Sequence, residues 1–192
     1  MRFSATPLAG CAIVDTDAHQ DNRGQFARLW CQHEFEAAGI ESSFVQMSVS
    51  TNAKRGTVRG MHMQTLPSQE GKFVRCIRGS IFDVAVDMRP RSPTFMRWFG
   101  IHLDSRSRRA LFIPSQFAHG FQTLEDDCEV LYQMTDFYQP ALQFGFRWDD
   151  PAFGIDWPIA SGVTLSPKDE AYPNFSAASF AGTRMQEPVT PT

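Results

Sequence analysis

The chain has 192 residues, 42% of them apolar, with 17 Phe and four Trp, which is enough for one sizeable core. Its net charge of −3 gives no field to draw nucleic acid or an anionic membrane, and no run approaches the ~20 apolar residues of a membrane span. The four cysteines form no CxxC pair, and no basic segment followed by a long apolar run opens the chain, so a cytoplasmic protein with reduced, buried thiols is expected.

A short strand is expected over residues 12–14, then a polar loop over 15–22. Arg23-Gly24 turns into a second strand through Phe26 to Leu29-Trp30. Residues 33–38 read as a short helix with Gly39 as its stop. Strands then follow closely, at 44–50, 57–64, 72–78 and 81–88. In the last of these Phe82, Val84, Val86 and Met88 share one face and Asp83 and Asp87 the other, a period of two. Further strands are expected at 96–103, 110–113, 120–124 and 128–135. Many short strands joined by Gly/Pro turns indicate an all-β sandwich or barrel. The pattern loosens after Tyr138, and Ser166 is placed to cap a turn or short helix at Pro167-Lys168-Asp169. Residues 1–175 are expected to form one domain and 176–192 a loosely held tail.

Chemistry concentrates in Arg59-Gly60-Met61-His62-Met63-Gln64, with Lys72 close behind. A half-buried strand has little reason to carry so many polar groups unless they converge. Strict alternation puts Arg59 and His62 on opposite faces, so both reach one cavity only if the strand bulges, most simply at Gly60. A lone strand histidine is commonly structural, Lys72 could snorkel to the surface, and a tyrosine in a β core is usually packing. His119, delivered by the Pro114 loop, and the pair Tyr132 and Tyr138 are the other candidates. His62 has Gln64 at i+2 where a strand metal site wants a second histidine, so no metal is expected. The residues alone indicate an all-β protein whose cavity holds His, Lys, Arg and Tyr, suited to an anionic ligand.

Taken in order, Asp21-x-Arg23-Gly24-x-Phe26, Arg59-Gly60-x-His62-x-Gln64, Gly71-Lys72, Phe117-Ala118-His119-Gly120-Phe121, Tyr132-x-x-Thr135-x-x-Tyr138 and Ser166-x-Lys168-Asp169 resemble the nucleotide-diphospho-4-keto-6-deoxysugar epimerases, typified by dTDP-4-dehydrorhamnose 3,5-epimerase. The resemblance covers about residues 21–173. It implies a cupin-type jelly-roll barrel, a homodimer, no metal and no cofactor. It implies that His62 is the base, Asp169 its orienting carboxylate, Lys72 the stabiliser of an enolate and Tyr138 the acid on the opposite face. His119 and Tyr132 would line the sugar pocket, and Lys168 would be a further substrate-binding residue. Arg23 and Arg59 would hold a diphosphate, and Phe26, Gln46 and Ser48 a nucleotide base. Three positions depart from the family pattern: Arg28 stands where an acidic residue is usual, Ser48 where an amide is usual, and Met63 where a tyrosine is common. The base and the choice of C3, C5 or both stay open. A ketoisomerase or a non-catalytic sugar-nucleotide-binding barrel on the same frame is the alternative.

Overall fold

A computed structural model describes residues 1–181. Strands β1 (Arg2–Ala5), β2 (Ala12–Asp15), β10 (Ala110–Ile113), β7 (Lys72–Arg78), β12 (Cys128–Met134) and β5 (Gln46–Asn52) form a six-stranded sheet in the order β1-β2-β10-β7-β12-β5. Strands β13 (Gln143–Gly145), β6 (Val58–Gln64), β11 (Phe117–Thr123), β8 (Ser80–Asp87) and β9 (Trp98–Asp104) form a five-stranded sheet in that order. All pairings in both sheets are antiparallel. The sheets face each other as a jelly-roll sandwich, the expected all-β class, with Val74, Cys76, Ile81, Ala85, Leu111 and Phe121 among the residues filling the space between them. Among the described residues no helix is long and apolar enough to cross a membrane.

The period of two in β8 is present, but both of its faces are buried. Ile81 and Ala85 point into the sandwich, while Phe82, Val84, Val86 and Met88 point out and are covered by Phe146, Phe153 and Phe180. The acids Asp83 and Asp87 therefore lie inside, both fully buried. Asp87 accepts hydrogen bonds from Arg89, Ser92 and Thr94 at 2.5–2.8 Å, which joins the β8 end to the following turn. Burial opposes its ionisation, but these donors outweigh it and hold its carboxyl below the usual range.

The outer face of the six-stranded sheet is covered by helix α1 (Gln32–Ala37), whose Phe35 is buried against Phe3, Phe44, Phe73 and Phe112. Gly39 ends it at φ +69°, as a C-terminal stop requires. A separate hairpin, β3 (Ala18–Asp21) and β4 (Gly24–Ala27), pairs only with itself. The expected continuation of β4 to Trp30 does not form. The chain leaves the strand after Ala27, where the Leu29 carbonyl accepts from Arg75 Nη2 at 2.9 Å and Trp30 packs on Phe44.

Helix α2 (Pro167–Glu170) follows Ser166 as expected, and helix α3 (Ala177–Ala181) occupies the start of the expected loose tail. Phe180 accounts for that difference: it is 5% exposed and packs on Phe95, Phe144, Phe146 and Phe175. The remainder of that expectation, residues 182–192, lies outside the described residues. Cys11, Cys76 and Cys128 are buried and Cys31 is half-buried, all four as free thiols. Burial pushes the thiols of Cys11 and Cys76 up to about 12.

Candidate active site

A cavity of about 390 Å³ opens at one end of the sandwich, walled by β5, β6, β7, β11 and β12. Strand β6 reaches it through an irregularity. His62 pairs with His119 and Arg59 with Phe121, so three steps on β6 oppose two on β11. Gly60 sits at the extra step with φ +139°, so close to β11 that a Cβ there would lie 2.5 Å from Gly120 Cα. The shift of phase turns Arg59, His62 and Gln64 into the same cavity. Met61 and Met63 belong to the apolar cluster behind the sheet, where Met63 pairs with Phe144 of β13 while also bordering the cavity. An apolar side chain at position 63 suits that contact.

His62 Nε2 lies 2.6 Å from Asp169 Oδ1, with the Asp169 side chain 5% exposed. Helix α2 aims the carboxylate: Pro167 opens the helix and Ser166 Oγ accepts from the Asp169 N–H at 3.1 Å. Burial pushes the Asp169 carboxyl up, but the hydrogen bond and charge of His62, with Ser166 and the Gly60 backbone, win and hold it below the usual carboxylate range. With Nε2 spent on Asp169, Nδ1 is the ring nitrogen left to act on a ligand. The Tyr172 ring lies 5.9 Å from the imidazole and rests on Gly145, where no Cβ would fit. Burial, then the nearby Asp169 charge, raises the Tyr172 hydroxyl.

His119, expected at a loop–strand junction, sits inside β11 and bonds through Nε2 to Asp83 Oδ1 at 2.8 Å. Tyr132 lines the cavity from β12 opposite Ser48, its hydroxyl raised by burial. Lys72 enters from the start of β7 and pairs with Glu70, whose other oxygen accepts from Gln64 Nε2. Arg59 is steered by the buried Asn52, whose Oδ1 accepts from Nε at 2.7 Å. Tyr138 stands at the rim, half-exposed, its hydroxyl donating to Gln143 Oε1 at 2.6 Å. The same Gln143 oxygen accepts from Lys168 Nζ at 2.5 Å, which brings Lys168 to the cavity edge without lining it. Gln46 lines the cavity too, yet its Oε1 accepts from the Tyr138 backbone N–H.

Arg23 and Phe26 are not brought to this cavity. Both lie on the β3–β4 hairpin, Phe26 76% exposed and Arg23 paired with its neighbour Asp21. Arg28 is turned to helix α1, where Nη1 meets Glu34 Oε1 at 2.9 Å. The structure also supplies groups that sequence reading missed: Glu70, Asp83, Asn52, Gln143 and Tyr172. Only Asp83 left a signal, as an acid on a strand face. Among the described residues no three His, Cys, Asp or Glu side chains gather where a metal ion could bind.

The arrangement can remove a proton from carbon, because the imidazole has a carboxylate behind it and one ring nitrogen free to act as a base. An ammonium and a phenol face the same space, one fit to stabilise an oxyanion and the other to return a proton. The chain matches the family model described as dTDP-4-dehydrorhamnose 3,5-epimerase over residues 5–177. It is 44% identical over 170 residues to the dTDP-4-dehydrorhamnose 3,5-epimerase of Methanothermobacter thermautotrophicus, covering 88% of this chain and 91% of that one. It superposes on a Legionella pneumophila dTDP-6-deoxy-D-glucose-3,5-epimerase in complex with dTDP-4-keto-L-rhamnose, with TM-score 0.83 and 35% identity over 92% of this chain and 99% of that one. A 3'-monoepimerase from Streptomyces bikiniensis in complex with dTDP-quinovose gives TM-score 0.85 and 30% identity over 92% and 89% of the two chains. With the His62–Asp169 pair, the cupin-type sandwich and these likenesses in place, the chain belongs to the dTDP-4-dehydrorhamnose 3,5-epimerase family.

Proposed function

We propose that the cavity epimerises a nucleotide-diphospho-4-keto-6-deoxyhexose at C3, C5 or both, as an isomerase of deoxysugar biosynthesis. The observation that carries this reading is the His62–Asp169 contact of 2.6 Å at the edge of a cavity that also holds Lys72 and Tyr138.

The ketone at C4 acidifies the hydrogens on C3 and C5. His62 takes one of them through Nδ1, and the electron pair moves onto the C4 oxygen as an enolate. Asp169 stabilises the imidazolium that forms. Lys72 directs an ammonium N–H at the enolate oxygen. Tyr138 delivers its proton to the opposite face of the carbon, which inverts the centre and leaves a phenolate. Solvent at the half-exposed rim reprotonates Tyr138 and takes the proton from His62, returning both groups to their starting states. Arg59 pairs with the diphosphate, its guanidinium oriented by Asn52. Tyr132 and His119 shape the sugar pocket, Gln46 and Ser48 border the base, and Lys168 acts from the edge.

Arg23 and Phe26 take part through a second copy of the chain in a homodimer. Their hairpin is exposed and off its own chain's cavity, and Val45, with Met47 and Val49 of edge strand β5, forms an exposed apolar row. An apolar sheet edge of this kind is a pairing surface. The free thiols support a cytoplasmic location.

Incubation with a dTDP-4-keto-6-deoxyhexose in D2O, followed by NMR, tests the reading. Deuterium at C3, C5 or both is expected, and His62→Ala is expected to abolish it. Exchange without net inversion would favour a different isomerase, and no exchange would favour a binding barrel.

A further inference from the structure

We propose that Glu70 is a positioning residue of this site, tying the ammonium of Lys72 to the segment that carries Tyr138; the proposal rests on the roles given to those two residues above. The Glu70 side chain is 6% exposed and borders the cavity. A buried carboxylate is retained only when its oxygens are matched. Here Oε1 pairs with Lys72 Nζ and Oε2 accepts from Gln64 Nε2. The ammonium has three N–H donors, so the pair with Glu70 fixes its direction and leaves two for an oxyanion.

Gln64 carries the effect onward. An amide side chain has two ends of nearly equal shape, and its neighbours decide which end points where. Glu70 accepts only, so it holds Nε2 on its own side, with Phe137 O a weak second acceptor at 3.4 Å. Gln64 Oε1 is thereby turned to the Gln139 N–H and accepts it at 2.7 Å. The peptides on both sides of Tyr138 are thus tied to Gln64, while the Tyr138 N–H itself is held by Gln46 at 2.5 Å. The Glu70 loop is fastened to the same segment from below: Ser68 Oγ donates to Asp136 Oδ2 at 2.9 Å, and the Gly71 N–H to Thr135 Oγ1 at 2.7 Å. One carboxylate therefore sets the electrophile and the mounting of the acid together. Both of its oxygens are engaged, which makes it a positioning residue rather than a second base.

Two variants decide the matter. In Glu70→Gln one acceptor becomes a donor facing either Lys72 or Gln64 Nε2, so one of the two ties is lost. Adding Gln64→Glu restores every match except the weak one to Phe137 O. The amide introduced at position 70 accepts from Lys72 through its oxygen and donates through its nitrogen to the carboxylate introduced at position 64. The second oxygen of that carboxylate accepts the Gln139 N–H. Glu70→Gln is expected to lower kcat at least about tenfold, with KM within about twofold and an unchanged melting temperature. It should also shift the Gln139 amide resonance in a ¹⁵N–¹H spectrum. The double variant should recover kcat to within about threefold of wild type and return that resonance, the non-additivity expected of a shared network. A wild-type kcat in Glu70→Gln, an unmoved Gln139 resonance, or a double variant no better than the single one would each overturn the proposal. Should the unmodified protein convert no sugar nucleotide, the epimerase reading fails, while the Gln139 resonance in the two variants still decides whether Glu70 governs the segment.

Discussion

At Asp169 two opposing effects meet, and their balance sets how the site responds to acid. Burial favours the neutral acid; the His62 ring, Ser166 and the Gly60 backbone favour the anion, and the anion wins. A carboxyl lowered by folding adds stability above its unfolded value of ~3.9, and that stability is lost as pH falls through the folded value. The Asp169 carboxylate therefore stays ionised in mild acid and remains available to His62 there. Asp169→Asn keeps the shape and an acceptor but not the charge that stabilises an imidazolium. Its kcat is expected to fall about 10²–10⁴-fold with little change in KM, read from steady-state rates across the neutral range. His62, Lys72, His119, Tyr132 and Arg59 were legible because polar groups in strand-like runs stand out. Glu70, Asp83 and Asn52 were not, because what makes each one matter is a partner on another strand. Asp83 reads as solvent-facing until β11 pairs with β8 and the His119 ring, from a diagonal position, bonds its carboxylate.

Among the elements, β6 shows how one backbone position can merge two faces. Regular alternation would part Arg59 from His62, and the extra step at Gly60 reunites them. A methyl group at Gly60 would meet Gly120 Cα at 2.5 Å and the His119 carbonyl at 2.9 Å, at a φ that side chains rarely adopt. Gly60→Ala is expected to cost about 2–3 kcal/mol, lowering the melting temperature by roughly 5–10 °C, and to weaken dTDP binding as well as turnover. Calorimetry and a dTDP titration check both; a variant with wild-type stability and affinity would show that the bulge does not depend on glycine. The need for a bulge here was readable in advance, since two cavity-type residues fell out of phase around a glycine. Strands β7 and β10 were readable to the residue, being apolar runs of strand length bounded by turns. Strand β3 was not: Ala18–Asp21 is exposed throughout, has no apolar alternation, and is a strand only because β4 folds back on it. β13 was hidden for a related reason, as three residues held by their pairing to β6.

For the whole molecule, the hairpin and the edge strand give the proposed homodimer a direct functional test. Mixing His62→Ala protomers with Arg23→Ala/Phe26→Ala protomers makes heterodimers with one complete site each: the first variant lends its intact hairpin to the second variant's intact base. Activity is expected to appear on mixing two preparations that are each nearly inactive, followed by rate and size-exclusion measurements. No gain from subunits shown to exchange would mean that the hairpin serves no neighbouring cavity. The class of the fold was legible from strand spacing, whereas its covering was not. The aromatic side chains after Tyr138 show no periodicity, because they pack as an irregular layer over the five-stranded sheet. The cysteines offer a practical route to following assembly. Three of the four thiols are buried, which leaves Cys31 between the hairpin and α1 as the native attachment point for a thiol-reactive fluorophore. A single dye there would report on hairpin docking by energy transfer between protomers, with no engineered cysteine required.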